Sequence, residues 1–392
     1  VLITVTFATF DPHVLYDPYN NRWLVTATAY GGSPDSSLLI GASATSDPTG
    51  IWYLFRVDAD SGDTTWADYP TMGFNKDWVA VSLNMFTNSS NAFSTGKTYV
   101  FNKANLFANN SAGSFVYTTG SSAFTLVPAV TFDNSLNTVH LVRHSSSASG
   151  LIKKSTLVGD APAMPTFTLD TATVTSALGS WSVPGGDFLP QPNSARFIDV
   201  GDARMRSVVY RNGTLWCTQT IVLPAGGAPT HAALQWWQLD SNASSSTILQ
   251  QGRLEDPSAT QSNSGYHYAY PALAVNLAGD VLVGFSRFSL ASYASAGYAY
   301  HFAGDAAGTL RDPVVLKAGE DVYVKTYGGS RNRWGDYSNT VVDPLNDLDM
   351  WTIQEYAATA SPPGSSSDGA GRWATWWGQM VLQHLYLPTI LK

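Results

Sequence analysis

The seven residues Asp11-Pro-His-Val-Leu-Tyr-Asp17 decide the fold, because variants of them recur along the chain. The copies read x-Pro/Ser-x-apolar-x-apolar-Asp/Asn. They are Tyr69-Pro-Thr-Met-Gly-Phe-Asn75, Val127-Pro-Ala-Val-Thr-Phe-Asp133, Tyr270-Pro-Ala-Leu-Ala-Val-Asn276 and Tyr337-Ser-Asn-Thr-Val-Val-Asp343, with a divergent sixth copy at Met205-Arg-Ser-Val-Val-Tyr-Arg211. Such internal repetition is typical of proteins that use one small structural unit several times.

A second alternating run follows each copy after a short turn. In the divergent copy that turn is Asn212-Gly213, the strongest short signal for a β-hairpin. The second runs are Trp23-Leu-Val-Thr-Ala27, Trp78-Val-Ala-Val-Ser82, Val139-His-Leu-Val-Arg143, Leu215-Trp-Cys-Thr-Gln219, Val281-Leu-Val-Gly-Phe285 and Trp351-Thr-Ile-Gln-Glu355. The pattern therefore predicts one hairpin per copy.

The spacing of the copies predicts the architecture. They begin at residues 11, 69, 127, 205, 270 and 337, and each interval has room for four strands with their loops. A four-stranded sheet cannot bury both faces alone, but stacking such sheets around an axis buries them against one another. We therefore predict an all-β protein, a six-bladed β-propeller over residues 1–380 with a C-terminal tail strand at 381–392. Seven blades are the alternative, because the interval between residues 127 and 205 is long.

Composition narrows the classes of partner. Of 392 residues only 13% are charged, the net charge is −8, and no run of Lys or Arg is present. Without a basic surface, nucleic acid is a poor partner. No stretch is apolar for long enough to span a membrane. The chain opens on Val1 instead of a start methionine, which favours an exported protein whose leader has been removed, located outside the cell or on its surface.

Three segments carry a resemblance to a known family. They are Phe10 to Trp23, Trp66-Ala-Asp-Tyr-Pro70 with Asn75-Lys-Asp-Trp78, and Arg333-Trp-Gly-Asp-Tyr-Ser338 with Val342-Asp-Pro344. They resemble secreted bacterial propeller proteins of the sialidase-like, BNR-repeat kind. The resemblance implies export and a propeller, and no common reaction comes with it.

Polar residues open several of the predicted inner strands and should meet at one mouth of a central funnel. Such a ring could bind a glycan through carboxylates and aromatic faces, or a calcium ion through carboxylates. The alternative is structural, because Asp beside Pro or Gly often caps a turn with its side chain. The predicted ligand-binding residues are Asp11, Asp68, Tyr69, Tyr270, Arg333, Asp336 and Tyr337.

The chain contains candidates for the residue types that a sialidase reaction requires. That chemistry needs an arginine cluster, a tyrosine nucleophile with a glutamate, and an aspartic acid, because an oxocarbenium-like transition state must be stabilised. Tyr270 or Tyr337 could be the nucleophile. The candidate arginines are Arg204, Arg206, Arg211, Arg331 and Arg333, and the only glutamates are Glu255, Glu320 and Glu355. A sialidase-like glycoside hydrolase is thus the alternative to the favoured function, a binding or structural module with no bond-making chemistry.

Both chain ends contain strand-like runs, at Val1 to Phe10 and within Trp373 to Lys392. The simpler interpretation is that one end completes a sheet begun by the other. If one run stays unpaired, its apolar edge can pair with another chain, so a homopolymer or a complex with a surface protein is a second possibility.

Other local patterns have weaker implications. Cys217 lies in an alternating apolar run and is predicted to be a buried, inert thiol. The acidic turn Asp58 to Asp63 lacks the ligand spacing of a calcium loop and is predicted to be a solvated turn. No zinc, hydrolase-triad or phosphate-loop spacing is found. The four sequons are Asn88, Asn109, Asn212 and Asn242, which are acceptors only in a host that glycosylates them.

Overall fold

The computed structural model describes residues 8–110, 113–145, 150–182 and 186–381. These residues form mostly antiparallel sheets and one five-residue helix, α1 (Lys103–Phe107). The all-β propeller prediction is confirmed. The predicted roles of residues 1–7 and 382–392, and with them the tail strand at 381–392, lie outside the described residues.

The sheets form units that follow one another along the chain, each meandering from an inner to an outer strand. Unit 1 comprises β1 (Thr9–Asp17), β2 (Arg22–Ala29), β3 (Ser37–Ser43) and β4 (Trp52–Asp58). Unit 2 comprises β5 (Thr65–Phe74), β6 (Trp78–Thr87), β7 (Phe93–Asn102) and β8 (Ser114–Gly120). Unit 3 comprises β9 (Val127–Pro128), β10 (Val130–Thr131), β11 (Thr138–His144), β12 (Leu151–Val158) and β13 (Thr166–Thr175). A ribbon of β14 (Asp187–Leu189) and β15 (Ile198–Asp199) precedes unit 4.

Three further units complete the described chain. Unit 4 comprises β16 (Met205–Arg211), β17 (Thr214–Leu223), β18 (His231–Asp240) and β19 (Ile248–Leu254). Unit 5 comprises β20 (His267–Val275), β21 (Val281–Ser289), β22 (Ser292–His301) and β23 (Val314–Lys317). Unit 6 comprises β24 (Asn339–Val342), β25 (Met350–Ala358) and β26 (Arg372–Met380). Whether the whole chain has six or seven blades stays a prediction.

The predicted hairpins are confirmed as the innermost strand pairs of the units. In units 1, 2, 4, 5 and 6 both predicted runs lie in consecutive antiparallel strands. The third copy differs, because its first run is broken at Ala129 into β9 and β10. β9 pairs with β11 inside unit 3, whereas β10 leaves that sheet.

The departure of β10 joins three units at the hub. Val130 pairs in parallel with Phe74 of β5 and with Val209 of β16. Gly73 allows this approach, since a Cβ atom there would lie 2.4 Å from the Ala129 carbonyl oxygen. Inner strands of a propeller share one direction, so close neighbours can only pair in parallel. The hub on this side is therefore closed by backbone hydrogen bonds.

Apolar side chains fill the space between neighbouring units. One cluster joins units 1 and 2 and includes Leu24, Ile40, Phe74 and Met85, of which Leu24, Phe74 and Met85 are wholly inaccessible. Burial of each large apolar side chain stabilises the fold by about 1.5–3 kcal/mol. Cys217 belongs to a similar cluster and is fully buried, as predicted. The units are held together mainly by these apolar faces.

Unit 6 meets unit 1 next to the axis. The Tyr337 ring lies 4.4 Å from the His13 ring of β1, centroid to centroid, and 4.9 Å from the Tyr69 ring of β5. Across the hub, the guanidinium of Arg211 in β16 pairs with Asp347 of the β24–β25 turn. First and last units are thus in contact at the hub.

The third strand of unit 6 differs from its sequence-based prediction. Strand-like runs were predicted within Trp373 to Lys392, but β26 begins before that segment, at Arg372. The earlier start follows from its register, which pairs Arg372 with Ala358 at the end of β25. Among the described residues β26 pairs on one side only. In the same part of the chain, no helix is long and apolar enough to cross a membrane.

Candidate functional site

A cavity of about 660 Å³ opens where the inner strands of units 1 and 2 begin. Its size suits a small organic ligand, for which pockets of 300–1,000 Å³ are usual. Its wall combines four arginines, four aspartates and three aromatic rings. The lining residues are Phe10, Asp11, Gly31, Trp66, Asp68, Tyr69, Gly186, Gly201, Asp202, Arg204, Arg206, Arg331, Arg333 and Asp336.

The repeated X-Pro step places side chains in and beneath this cavity. Asp11, Tyr69 and Tyr270 each precede a proline and have φ angles of 54°, 52° and 57°. The pairing register shifts at the same step in β1, β5 and β20, so each inner strand carries a β-bulge there. A bulge redirects a side chain, and left-handed backbone at residues other than glycine is costly and concentrates at functional sites. Three units therefore present one strained residue each towards the hub.

Aromatic rings form the floor of the cavity. Tyr69, Tyr270 and Tyr337 border a small inner cavity beneath it, together with Arg206 and His13. Arg206 donates from Nη1 to the Tyr69 hydroxyl at 2.9 Å and to the Asp336 carbonyl oxygen at 2.7 Å. Burial raises the pKa of all three tyrosines and lowers the pKa of His13 to about 4. These groups are neutral at pH 7, so the floor carries the charge of Arg206 alone among them.

The other three arginines of the wall each pair with one carboxylate. Arg204 binds Asp202 through two hydrogen bonds of 2.7 and 2.6 Å. Burial opposes ionisation of Asp202, but Arg204 outweighs it and holds the pKa of that carboxyl below its usual range. Arg333 donates to Asp336 at 2.7 Å, and Arg331 pairs with Asp199.

Arg331 and Arg333 keep part of their donors accessible. Their side chains are 51% and 42% exposed, although each touches a carboxylate. Arginine has five N–H donors in a planar fork, so one carboxylate partner leaves donors free for a second. These two side chains can therefore bind an anionic group that enters the cavity.

Asp11 and Asp68 form a carboxyl pair, and the charge of Arg204 only partly offsets the effect of burial on the pKa of Asp68. Neither makes a salt bridge within the described residues. The two carboxyls lie within hydrogen-bonding reach of each other, and Asp68 also accepts the backbone N–H of Tyr69. Burial, followed by the charge of Asp68, raises the pKa of Asp11 to about 7. Burial also raises the pKa of Asp68. Because two close carboxyls resist losing both protons, the pair retains one near neutral pH.

Glu355 lies buried behind this arrangement, on the middle strand β25. Gly335 makes room for it, because a Cβ atom at that glycine would lie 1.6 Å from the Glu355 Oε1 atom. Its Oε2 atom is inaccessible and has no hydrogen-bond partner in the described part of the chain. Burial, with the charge of Asp336 added, raises the pKa of Glu355 to about 8. Glu355 is thus protonated at pH 7.

This raised pKa makes stability depend on pH. The unfolded chain loses the Glu355 proton near pH 4.5 and the folded chain only near pH 8, so stability falls by about 1.4 kcal/mol per pH unit between those values. Glu355→Gln mimics the protonated form and should remove that loss. We expect its urea midpoint to exceed the wild-type midpoint increasingly from about pH 5 to about pH 9. Glu255→Gln, at a partly exposed glutamate, serves as the control with the wild-type slope. Equal slopes for Glu355→Gln and wild type would contradict this explanation.

The structure brings the seven predicted ligand-binding residues together. Asp11, Asp68, Tyr69, Arg333 and Asp336 line the cavity. Tyr270 and Tyr337 line the inner cavity below it. Of the candidate sialidase arginines, Arg211 lies elsewhere, paired with Asp347. Whether these residues bind a ligand stays a prediction.

The sequence did not single out Phe10, Trp66 or Asp202, which also line the cavity. Phe10 and Trp66 are the second residues of β1 and β5, and Asp202 lies just before β16. All three precede the repeated motif or its divergent copy. Their position relative to the repeat was the available signal. No other sequence signal pointed to Asp202, because its role depends on the hydrogen bonds that the Arg204 side chain donates to it in the fold.

The structure also places the weaker sequence features. In the described residues, no cluster of His, Cys, Asp or Glu side chains has an arrangement that could hold a metal ion. In the acidic turn, Asp60 accepts hydrogen bonds from Thr64 and Thr65 and pairs with Lys97. Among the sequons, Asn109, Asn212 and Asn242 are exposed, whereas Asn88 is half-buried and donates to the Asp63 carbonyl oxygen.

Comparisons with known proteins describe the fold. No protein-family model matches the chain, and no curated protein matches it in sequence. Among solved structures, the phage phi92 endosialidase superposes with a TM-score of 0.54 at 9% identity, covering 98% of this chain and 71% of that one. The fold is a sialidase-like β-propeller.

More distant structural neighbours have lower scores. Trypanosoma rangeli sialidase in complex with sialic acid has a TM-score of 0.43 at 9% identity, covering 89% of this chain and 52% of that one. The GH93 alpha-L-arabinofuranosidase of Fusarium graminearum, in complex with arabinobiose, has a TM-score of 0.42 at 10% identity, covering 88% and 87%. At such identities the likeness concerns the fold, and the activity has to be argued from the cavity.

Proposed function

We propose that the protein is a glycoside hydrolase that cleaves an anionic glycan in this cavity. The observation that carries the proposal is the Asp11–Asp68 pair, which retains a proton near neutral pH beside exposed arginine donors. Hydrolysis of a glycosidic bond requires an acid that protonates the leaving oxygen. A carboxyl with its pKa raised by burial is the usual way to supply that acid.

The distribution of charge indicates the substrate class. Arg331 and Arg333 present accessible guanidinium donors, and planar arginine donors suit a carboxylate. Phe10 and Trp66 add apolar rings to the same wall, on which a sugar ring can lie. A sugar bearing a carboxylate satisfies both features. The structural likeness to a phage endosialidase is consistent with such a substrate.

The proposed roles follow from this placement. Arg331 and Arg333 bind the substrate carboxylate and fix the sugar. Asp11 donates its proton to the leaving glycosidic oxygen as the bond to the anomeric carbon breaks. A water molecule forms the new bond to that carbon, and one proton of the water returns to the Asp11–Asp68 pair. Burial, assisted by the negative charge of Asp68, keeps that proton on Asp11. Arg206 and the neutral tyrosine floor support the sugar from below.

A panel of glycans tests the proposal. The purified chain is incubated with a sialic acid polymer, polygalacturonate, hyaluronan, and neutral glucan and arabinan, and reducing ends are counted. We expect release from at least one acidic polymer and none from the neutral ones. Cleavage of a neutral polymer alone, or of none, would reject the proposal.

A binding module without turnover is the second candidate. It is favoured by the pairing of Arg204, Arg331 and Arg333 with carboxylates of the protein itself, which stiffens the wall without a ligand. The same panel separates the two functions when calorimetric titration accompanies the rate measurement. Affinity for an acidic polymer without any release of reducing ends supports the binding module. In either case we propose that the protein works outside the cell, where such polymers are found.

Assembly through a terminal strand is compatible with both candidates. Unit 6 has three described strands where units 1, 2, 4 and 5 have four, and Trp373 and Trp377 of β26 are 42% and 64% exposed. We propose that the run at residues 384–391 of a second copy pairs with this edge. Light scattering of the full chain and of a chain lacking residues 384–392 tests this. Equal particle masses reject it.

A further inference from the structure

Five aromatic rings form a continuous strip that begins at the cavity and leads away from it over unit 2. The ring centroids are 6.4 Å apart for Phe10 and Trp66, 5.4 Å for Trp66 and Phe86, 5.9 Å for Phe86 and Phe93, and 5.0 Å for Phe93 and Phe124. Phe10 and Trp66 line the cavity itself. We call these five residues the aromatic strip.

The strand directions explain why the strip lies at the cavity end of the molecule. Trp66 is at the start of β5, Phe86 at the end of β6, and Phe93 at the start of β7. Because neighbouring strands are antiparallel, these three positions share one edge of the sheet, and Phe86 is paired with both of the others. Asp68 and Tyr69 of the cavity lie near the same end of β5. From Trp66 to Phe93 the strip therefore extends outward from the cavity by about 10 Å, two strand spacings. Its last ring, Phe124, lies back against Arg204 of the cavity wall.

The rings of the strip are more accessible than the rings of the core. All five are partly exposed, whereas Phe74 and Phe101 of the same sheet are completely buried. The strip is also held in place. The Trp66 Nε1 atom donates to Asn91 Oδ1 at 3.1 Å, and the Arg204 guanidinium lies 5.1 Å from the Phe124 ring. A fixed row of partly exposed rings is a suitable surface for stacking sugar rings.

We propose that the aromatic strip binds the sugars that follow the one held in the cavity, so that the protein recognises a chain instead of a single terminal sugar. The inference rests on the proposed function, because the cavity must first hold an acidic sugar. The occupant is an oligosaccharide whose carboxylate-bearing unit meets Arg331 and Arg333 and whose further units lie along Trp66, Phe86 and Phe93. Phe10 and Trp66 belong both to the cavity wall and to the strip, so an oligosaccharide whose first sugar fills the cavity meets the strip with its next sugars. This favours an oligosaccharide as the occupant.

Affinity as a function of chain length tests the proposal. A disaccharide and a hexasaccharide of sialic acid, and the same two lengths of galacturonic acid, are titrated calorimetrically into the full chain. We expect the wild type to bind a hexasaccharide at least about tenfold more tightly than the disaccharide, a difference of about 1.4 kcal/mol in binding free energy. Phe93→Ala should lose most of that advantage and leave disaccharide affinity unchanged.

Two further variants separate stacking from folding. Phe93→Leu keeps apolar volume and removes the ring, so it should lose the length advantage even if Phe93→Ala fails to fold. Phe115→Ala removes a partly buried ring of the same unit outside the strip. This variant should still bind the hexasaccharide more tightly than the disaccharide. Equal wild-type affinity for both lengths would overturn this inference but not the proposed function. An equal loss of affinity for both lengths in the Phe93 variants would do the same. Failure of all four oligomers to bind the wild type would overturn this inference, and the absence of release from every acidic polymer of the glycan panel would reject the proposed function as well.

Discussion

Asp11→Asn should reduce kcat on the acidic glycan that the protein cleaves by a factor of about 10²–10⁴, the usual contribution of a general acid. Asparagine has nearly the same size and can replace the hydrogen bond with Asp68, but it has no proton to give to the leaving oxygen. KM should change little, because the substrate carboxylate is bound by Arg331 and Arg333. Initial rates over a range of substrate concentrations measure both constants.

Stability provides the control for this variant. Ionising Asp11 inside the fold is unfavourable, because its pKa is raised from 3.8 to about 7. The stability associated with its protonated form is complete below pH 3.8 and is lost as pH rises through 7. Asp11→Asn should therefore be at least as stable as the wild type at pH 8. Asp312→Asn, at an exposed aspartate outside the cavity, should change neither rate nor stability. An Asp11→Asn protein with full activity would contradict the proposed acid.

Gly73→Ala should produce a large loss of stability, about 3 kcal/mol or more. The added methyl group would lie 2.4 Å from the Ala129 carbonyl oxygen and 2.6 Å from the Pro128 carbonyl oxygen. Both neighbours are backbone atoms in the segment that joins β9 to β10, so they cannot turn aside as a side chain can. The parallel contact of β10 with β5 has to open instead. Urea denaturation measures the loss.

Gly227→Ala is the matched control, because no atom lies within 4 Å of a Cβ placed there. It should keep the wild-type midpoint to within about 0.5 kcal/mol. The two variants together show whether the inner strands meet at the hub as closely as the structure has them. A Gly73→Ala protein as stable as Gly227→Ala would mean that β5 and β10 are further apart.

The sequence repeat predicted the inner strands at the hub, and the strands that depart from the repeat do so for physical reasons. Apolar alternation depends on each strand alone, so β1, β5 and β20 could be predicted from their own residues. The break at Ala129 could not, because it arises from pairing of Val130 with strands of two other units. The start of β26 at Arg372 likewise depends on the register of β25.

The residues of the candidate site that lie in the repeat were predictable, whereas those that depend on contacts between units were not. Asp11, Tyr69 and Tyr270 occupy one position of the repeat, so their convergence followed from the ring. Glu355 was a candidate only by its residue type, and its burial depends on the space left by Gly335. The bulges at the X-Pro steps were also not foreseen, because a residue before proline ordinarily takes extended backbone.

The pH dependence of kcat/KM for the wild type and for Asp68→Asn tests the central claim, a single proton retained by Asp11 and used for cleavage, most directly. In the wild type the rate should fall as pH rises through about 7, where Asp11 loses its proton. The charge of Asp68 helps to raise that pKa, so the residual activity of Asp68→Asn should fall at a lower pH. A descending limb that stays in place or moves to higher pH in Asp68→Asn would contradict the account.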